Sequence, residues 1–143
     1  RRRYVGKRPM ISHVTLGTND LENAAAFYEP IMQALGNPRV PFERSDPFIM
    51  WRRPGDDRPL VALVRPFKDQ RHEPGNGQML VLLAPDRPSV DEAHAIAISR
   101  GAQDEGTPCL RPQYHANYYG AYFRDLDGNK ICIVYHDPDG RGG

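Results

Sequence analysis

The chain has little of what marks several large protein classes. It contains two cysteines, Cys109 and Cys132, and this number offers no disulfide framework, which favours a reducing, cytoplasmic location. None of its apolar runs approaches the roughly 20 residues that cross a bilayer, so no membrane association is expected. The formal net charge of +1 gives no general attraction to polyanions, so no nucleic-acid partner is expected either.

The two ends of the chain differ in character from the rest. Residues 1–9 read RRRYVGKRP and carry five positive charges, but no apolar segment follows them as it does in a secretory signal peptide. We interpret residues 1–9 as a solvated N-terminal extension rather than an arm for nucleic acid. Residues 137–143 follow the last predicted strand and are interpreted as a loose tail.

One pattern occurs twice in the remaining sequence. Residues 13–28 read HVTLGTNDLENAAAFY and residues 79–94 read MLVLLAPDRPSVDEAH. Each segment begins as an apolar strand, passes a turn ending in aspartate, and continues as an alanine-rich helix. The aspartates, Asp20 and Asp86, lie 66 positions apart. Such an internal repeat predicts a duplicated architecture, with a site between the two copies.

Periodicity and turn residues predict the other elements of each copy. The first copy has a strand over 11–17, a helix that ends at Gly36, and three further strands. The second has a strand over 79–83, a helix that ends at Gly101, and a long loop before its last two strands. The predicted later segments are strands 39–44, 48–53 and 60–64, the linker 65–78, the loop 103–116, and strands 118–124 and 130–135. The expectation is one α+β domain over 10–136, with modules 10–64 and 79–136.

Two segments of the chain resemble those of a known family. Residues 13–36, HVTLGTNDLENAAAFYEPIMQALG, and residues 124–136, RDLDGNKICIVYH, are similar to the vicinal oxygen chelate superfamily. That superfamily includes glyoxalase I, bleomycin-resistance proteins and extradiol dioxygenases. The resemblance implies two βαβββ modules that form a cupped mixed sheet with the helices outside and the ligand inside. It also implies a homodimer.

The resemblance allows the metal ligands of the family to be compared position by position. His13 matches a family ligand position, whereas the equivalent residue of the second module is Met79. Cys132 stands where metal-using relatives have glutamate, and the strand 60–64 has no ligating side chain. A His, Met and Cys set would suit copper(I) or zinc, unlike the metals of the family. The alternative is that these side chains only line the cup. We therefore expect no metal and no other cofactor.

Other side chains are candidates for the same cup. Strand alternation places Cys132, Val134 and His136 on one face. The segment 113–119 is rich in tyrosine and contains His115, a candidate acid or base; it forms either a pocket rim or a packed loop. Trp51 is a candidate for the cup, with a role in the sheet core as the alternative. The expected site comprises the catalytic candidates His13 and His115 and the ligand contacts Trp51, Met79, Tyr118, Tyr119 and Cys132.

These features lead to three hypotheses about function. The first is a small-molecule protein of the superfamily with a degraded metal triad, acting as a lyase or dioxygenase-like enzyme through histidines and tyrosines. The second is a non-catalytic module that sequesters a drug or metabolite. The third is a structural or regulatory domain whose cup is filled by its own side chains. The sequence leaves the choice between them open.

Overall fold

The computed structural model describes residues 8–41 and 48–140. This part of the chain contains two helices and seven strands, and each helix follows the first strand of its copy. Their bounds are β1 His13–Gly17, α1 Leu21–Ala34, β2 Phe48–Trp51, β3 Leu60–Val64, β4 Leu80–Leu83, α2 Arg87–Ser99, β5 Gln103–Leu110, β6 Tyr119–Arg124 and β7 Lys130–Tyr135. Neither described helix is long and apolar enough to cross a membrane.

The strands form two sheets, one from each copy of the repeat. The first sheet has the order β1-β3-β2 and the second the order β4-β7-β6-β5. In both sheets the first strand of the copy lies parallel to its last strand, while the other neighbours are antiparallel. The α+β class and the duplicated plan are therefore confirmed.

The two helices begin in the same way. The carboxylate of Asp20 accepts a hydrogen bond from the backbone N–H of Asn23 at 3.1 Å, and that of Asp86 accepts one from Ser89 at 2.8 Å. An aspartate at this position satisfies a free N–H group of the first turn and interacts favourably with the helix dipole. The repeat in the sequence is thus also a repeat of the local structure that starts each helix.

The main core lies between the helices and one side of each sheet. Phe27 and Ile31 of α1, Ala93 of α2, and Phe123 and Ile133 of the second sheet are all buried in it. The rings of Phe27 and Phe123 meet edge to face at 6.1 Å, which brings the first helix against the second sheet. Both helices therefore cover one side of the molecule, and the opposite, concave side of the sheets is left without a helix.

A buried polar junction joins the two copies. Oδ2 of Asp125 accepts hydrogen bonds from Tyr28 Oη at 2.5 Å and from Asn129 Nδ2 at 3.0 Å. Its Oδ1 accepts from the backbone N–H groups of Asp127 and Asn129, both at 2.9 Å. Asn129 also donates to the carbonyl of Gly17 at the end of β1. The turn between β6 and β7 is consequently a fixed connection from the second copy to the first.

The structure corrects two expectations about the strands. Residues 103–110 form the edge strand β5 instead of a loop. The register of β5 against β6 shifts on both sides of Gly106. Pro108, which has no backbone N–H to donate, is accommodated in this irregular edge strand. Of the predicted strand 39–44, Arg39 makes one bridge with Trp51, and residues 42–44 lie outside the described residues. The expected pair of mixed sheets, one from each module, is present as sheets of three and four strands.

Candidate functional site

The concave side of the second sheet carries a small aromatic cluster of its own. Tyr122, Cys132 and Val134 are buried there, with Tyr118 packed against them. Tyr122 lies directly opposite Cys132 in the antiparallel pair of β6 and β7. Because side chains alternate along a strand, these residues point away from the helix-facing core formed by their neighbours in sequence. We refer to Tyr118, Tyr122, Cys132 and Val134 as the tyrosine–cysteine cluster.

Hydrogen bonds connect the polar atoms of this cluster. Tyr118 Oη lies 3.1 Å from Tyr122 Oη and 3.5 Å from Cys132 Sγ. Burial raises the pKa of both phenols and of the thiol. All three groups are therefore protonated at neutral pH, so they act as neutral hydrogen-bonding groups. A protonated thiol is a poor nucleophile, which argues against covalent catalysis by Cys132.

Two histidines border the cluster. Nε2 of His115 lies 2.9 Å from Nδ1 of His136, and the backbone N–H of Asn117 points at Nδ1 of His115 at 3.2 Å. We assign the tautomer from this pattern: Nδ1 of His115 accepts, so its Nε2–H donates to His136, whose own Nε2 carries a proton. Both rings contact that of Tyr118, each at 5.6 Å between ring centres.

Exposed apolar side chains continue the concave surface on strand β4. Met79, Val81 and Leu83 are 43%, 43% and 61% exposed, while Leu82 between them is buried in the core. Val81 and Leu83 lie beside Cys132 and Val134 in the parallel pair of β4 and β7. The concave surface therefore combines a neutral polar cluster with an apolar row that is open to solvent.

A cavity separates the edges of the two sheets. Its volume is about 320 Å³, and it lies between residues 14–17 of β1 and residues 78–80 at the start of β4. His72 of the linker, Asn129 and Lys130 complete its polar lining. A Cβ atom at Gly17 would lie 2.3 Å from Nδ1 of His72, so the glycine allows the linker to approach β1 closely.

Two of the predicted site residues lie on the helix-facing side instead. Trp51 is 1% exposed beneath α1, and its indole N–H donates to Glu29 at 2.7 Å. Tyr119 donates its hydroxyl proton to Asp91 at 2.6 Å. Burial, followed by the bond to Asp91, raises the pKa of Tyr119 to about 12. The expectation that these two side chains line the cup is corrected, because alternation along β2 and β6 directs them into the core side.

His13 occupies the concave side of the first sheet, apart from the cluster. It is exposed, and it alternates with Leu16 of the core along β1. Its Nδ1 shares a hydrogen bond of 2.9 Å with the hydroxyl of Ser12. Among the described residues, no hydrogen bond or ring contact joins His13 to the tyrosine–cysteine cluster. The structure therefore brings together His115, Tyr118 and Cys132, but not His13.

Of the residues matched to the family's metal positions, His13, Met79 and Cys132, only two are of the types that commonly hold a divalent metal. Among the described residues, no group of three or more His, Cys, Asp or Glu side chains is arranged to hold an ion. The Cys132 thiol is buried and protonated, and its nearest polar partner is the Tyr118 hydroxyl. Because a thiol ligates a metal as the thiolate, this environment opposes coordination.

Sequence reasoning missed Tyr122 of the concave face as a site candidate. The signal that could have found it is alternation along the predicted strand 118–124, which puts Tyr122 on the same face as Tyr118. From the sequence, Arg111 is either a holder of an anionic ligand or a surface residue; in the structure its guanidinium lies 4.9 Å from the centre of the Tyr122 ring. No sequence pattern indicates this contact, because Arg111 reaches the ring from the loop that follows β5.

The fold and the site together indicate the class of protein to which the chain belongs. The fold consists of two related modules, with helices on one side and an aromatic, apolar concave face on the other. An open surface of this kind is typical of proteins that hold small molecules. The family profile of the glyoxalase/bleomycin resistance protein/dioxygenase superfamily matches residues 10–133. The chain belongs to this superfamily.

Solved structures give the same result. A glyoxalase/bleomycin resistance protein from Albidiferax ferrireducens is 32% identical, with a TM-score of 0.75; the match covers 89% of this chain and 98% of that one. A superfamily member from Sphaerobacter thermophilus is 28% identical over 90% and 98% of the chains, with a TM-score of 0.61. A lactoylglutathione lyase from Agrobacterium tumefaciens, 20% identical over 90% and 96%, shares the fold with a TM-score of 0.57. No curated protein matched.

Proposed function

We propose that this protein binds a small molecule on the concave face of its second sheet and acts as a non-catalytic sequestering protein. One observation carries the proposal: a connected set of protonated hydrogen-bonding groups lies beside an apolar row that is open to solvent. Tyr118, Tyr122 and Cys132 supply the polar groups, and strand β4 supplies the apolar row. A site of this composition orients a ligand and buries its apolar part.

The pKa directions favour binding over catalysis at this cluster. An acid–base catalyst works best when its pKa lies near the operating pH. Burial moves the pKa of Tyr118, Tyr122 and Cys132 upward, away from neutrality. The partly exposed hydroxyl of Tyr118, held by the buried Tyr122 and Cys132, can therefore hydrogen-bond a ligand at neutral pH but does not exchange protons readily with it.

The histidine pair supports a second, catalytic candidate. His115 donates to His136 under the assigned tautomers, so the Nε2–H of His136 is available to a ligand beside Tyr118. A histidine of this exposed pair that has taken up a proton from solvent could deliver it to a ligand and then take up another from solvent. This would be the chemistry of a lyase that uses no metal, with His13 as a further catalytic candidate from the first sheet.

Chemical-shift mapping tests the binding proposal. Anilinonaphthalene sulfonate, a fluorescent aromatic probe, is titrated into isotope-labelled protein. We expect the largest amide shifts at residues 118–122 and 132–136, with small shifts in α1 and α2. The variant Tyr122→Phe should weaken binding, whereas Tyr135→Phe, on the helix-facing side of β7, should not. Shifts spread evenly over the helices would contradict the proposal.

We also expect a homodimer. β1 and β4 each lack a strand partner on one side within the described residues, and unpaired edges favour association with another chain. An isologous contact would use the same surface on both copies. Light scattering over micromolar concentrations tests this, and a monomeric mass throughout would contradict it.

A further inference from the structure

Two glycines leave room for large side chains on the concave face. Neither Gly106 nor Gly120 has a positive φ, so the backbone does not require glycine at either position. A Cβ atom at Gly106 would lie 2.8 Å from Nη2 of Arg111, and one at Gly120 would lie 2.9 Å from Cε1 of Tyr118. Both positions therefore allow a long side chain to lie close against the sheet.

Backbone carbonyls hold Arg111 in this space. Its Nη2 donates to the carbonyl of Thr107 at 2.8 Å, and its Nε donates to the carbonyl of Gly120 at 3.3 Å. The guanidinium carbon lies 4.9 Å from the centre of the Tyr122 ring. Within the described ranges 8–41 and 48–140, no carboxylate forms an ion pair with Arg111. Its positive charge is thus fixed in position without a carboxylate in direct contact.

Lys130 places a second positive charge beside the same ring. Its Nζ lies 5.6 Å from the centre of the Tyr122 ring, and it too has no ion pair in the described part of the chain. Lys130 also lines the cavity between the sheets, next to Met79. Two cations without an ion pair on one concave face attract anions and raise their local concentration.

The carboxylates on β5 are engaged elsewhere. Glu105 pairs with Arg124 at 3.0 Å. Asp104 lies 3.0 Å from Nε2 of His94 and accepts from the N–H of Gly106. The backbone N–H of Gly106 and, to a smaller extent, the charges of His94 and Arg111 lower the pKa of Asp104. Asp104 is thus near Arg111, but no ion pair joins the two in the described residues. The groups that share the concave face with the two cations, the phenols and the thiol of the cluster, are neutral.

We propose that the small molecule is an amphipathic anion, with a carboxylate or similar compact anionic group on an apolar body. The anionic group binds to Arg111, which offers directional donors, and the charge of Lys130 beside the same ring adds to the attraction. The apolar body extends along the exposed row of Met79, Val81 and Leu83. This inference rests on the proposed function, because it names the class of ligand for the same site.

A matched pair of probes tests the role of charge. Naphthoate carries a carboxylate, and naphthalenemethanol has the same ring with an uncharged hydroxymethyl group. We expect calorimetric titration to show naphthoate binding about tenfold or more tightly, as a charge-assisted hydrogen bond to arginine implies. The preference should shrink as salt screens the two cations.

Charge-removing variants locate the anion. Arg111→Gln and Lys130→Gln should each weaken naphthoate binding by about tenfold and leave naphthalenemethanol binding unchanged. Arg100→Gln is the control, since it makes the same change in net charge at the end of α2, on the helix side. If Arg100→Gln lowers naphthoate affinity as much as Arg111→Gln does, the assigned position is wrong.

A variant that keeps the charge tests the geometry. Gly106→Ala introduces a Cβ atom where the Arg111 guanidinium lies, so it should weaken naphthoate binding while the net charge stays the same. Thermal melts of each variant verify that it is folded. Equal affinity of the two probes for the unaltered protein would overturn the anion inference and leave the binding proposal standing. Failure of both probes to bind would overturn both.

Discussion

The buried bond between Tyr28 and Asp125 should contribute more to stability than any other single contact between the two copies. The Tyr28 hydroxyl is 2.5 Å from Asp125 Oδ2 in a buried environment, and Asp125 is 7% exposed. Hydrogen bonds to charged groups contribute about 1.5–3 kcal/mol. We therefore expect Tyr28→Phe to lower the free energy of unfolding by about 1.5–3 kcal/mol.

A double-mutant cycle isolates this bond from the loss of the side chains themselves. Asp125→Asn retains an acceptor for the N–H groups of Asp127 and Asn129 but removes the charge that faces Tyr28. We expect the coupling free energy between Tyr28→Phe and Asp125→Asn to be about 1–2 kcal/mol. Urea unfolding followed by circular dichroism measures it, provided that the slope with urea is unchanged.

The chain contains a matched control for this cycle. Tyr119 donates to Asp91 at 2.6 Å, a nearly equal length, but at the exposed end of the sheet. Solvent competes for an exposed bond, so we expect a coupling of at most about 0.5 kcal/mol in the cycle of Tyr119→Phe and Asp91→Asn. Equal coupling in the two cycles would refute the view that burial makes the junction strong.

The same variant has a pH signature. Burial and then the charge of Asp125 raise the pKa of Tyr28 well above its ordinary value, so the folded state keeps this proton longer than the unfolded state does. The stabilisation that comes from this retained proton is complete below a pH of about 10. Above that pH the free energy of unfolding falls by up to about 1.4 kcal/mol per pH unit. Stability of Tyr28→Phe should therefore fall less steeply above this pH than that of the unaltered protein.

Three further predictions concern the candidate site. His13→Ala should leave the melting temperature nearly unchanged, because His13 is exposed. It should weaken ligand binding if the first sheet contributes to the site. A large drop in melting temperature with unchanged binding would show that the role of His13 is structural. Iodoacetamide should modify the exposed Cys109 and spare the buried Cys132 in the folded protein, and equal labelling of both would contradict the cluster. Elemental analysis should find no stoichiometric divalent metal bound to His13, Met79 and Cys132, and activity that a chelator abolishes and a metal restores would show this to be wrong.

The repeat in the sequence was sufficient to predict the duplicated plan. Each copy has an apolar strand, an aspartate cap and an amphipathic helix, and these features depend on residues close together in the chain. Local signals of this kind survive in any tertiary context, because a cap bonds to the residue three positions later. The strand β5 was missed for the opposite reason. The segment QDEGTPCL has few strand-forming residues, and only pairing with β6 makes it a strand.

Alternation along the strands predicted part of the concave face but not its partners. It placed Cys132, Val134 and His136 on one side, as the structure has them. It could not decide whether Trp51 and Tyr119 face the helices or the cup, because either face of a strand can be apolar. That choice depends on which side the helices cover, and the helices come from distant parts of the chain.

The sequence alone therefore determined most of the elements, their duplication and the family to which the chain is similar. Tertiary structure alone decided the site: that Tyr118, Tyr122 and Cys132 share hydrogen bonds, that His115 meets His136, and that Arg111 rests on an aromatic ring. The physical reason is the separation along the chain over which each kind of interaction acts. Periodicity and capping act within a few residues, whereas the chemistry of this face arises where strands and a loop separated in sequence are brought into contact by the burial of the opposite, helix-covered side.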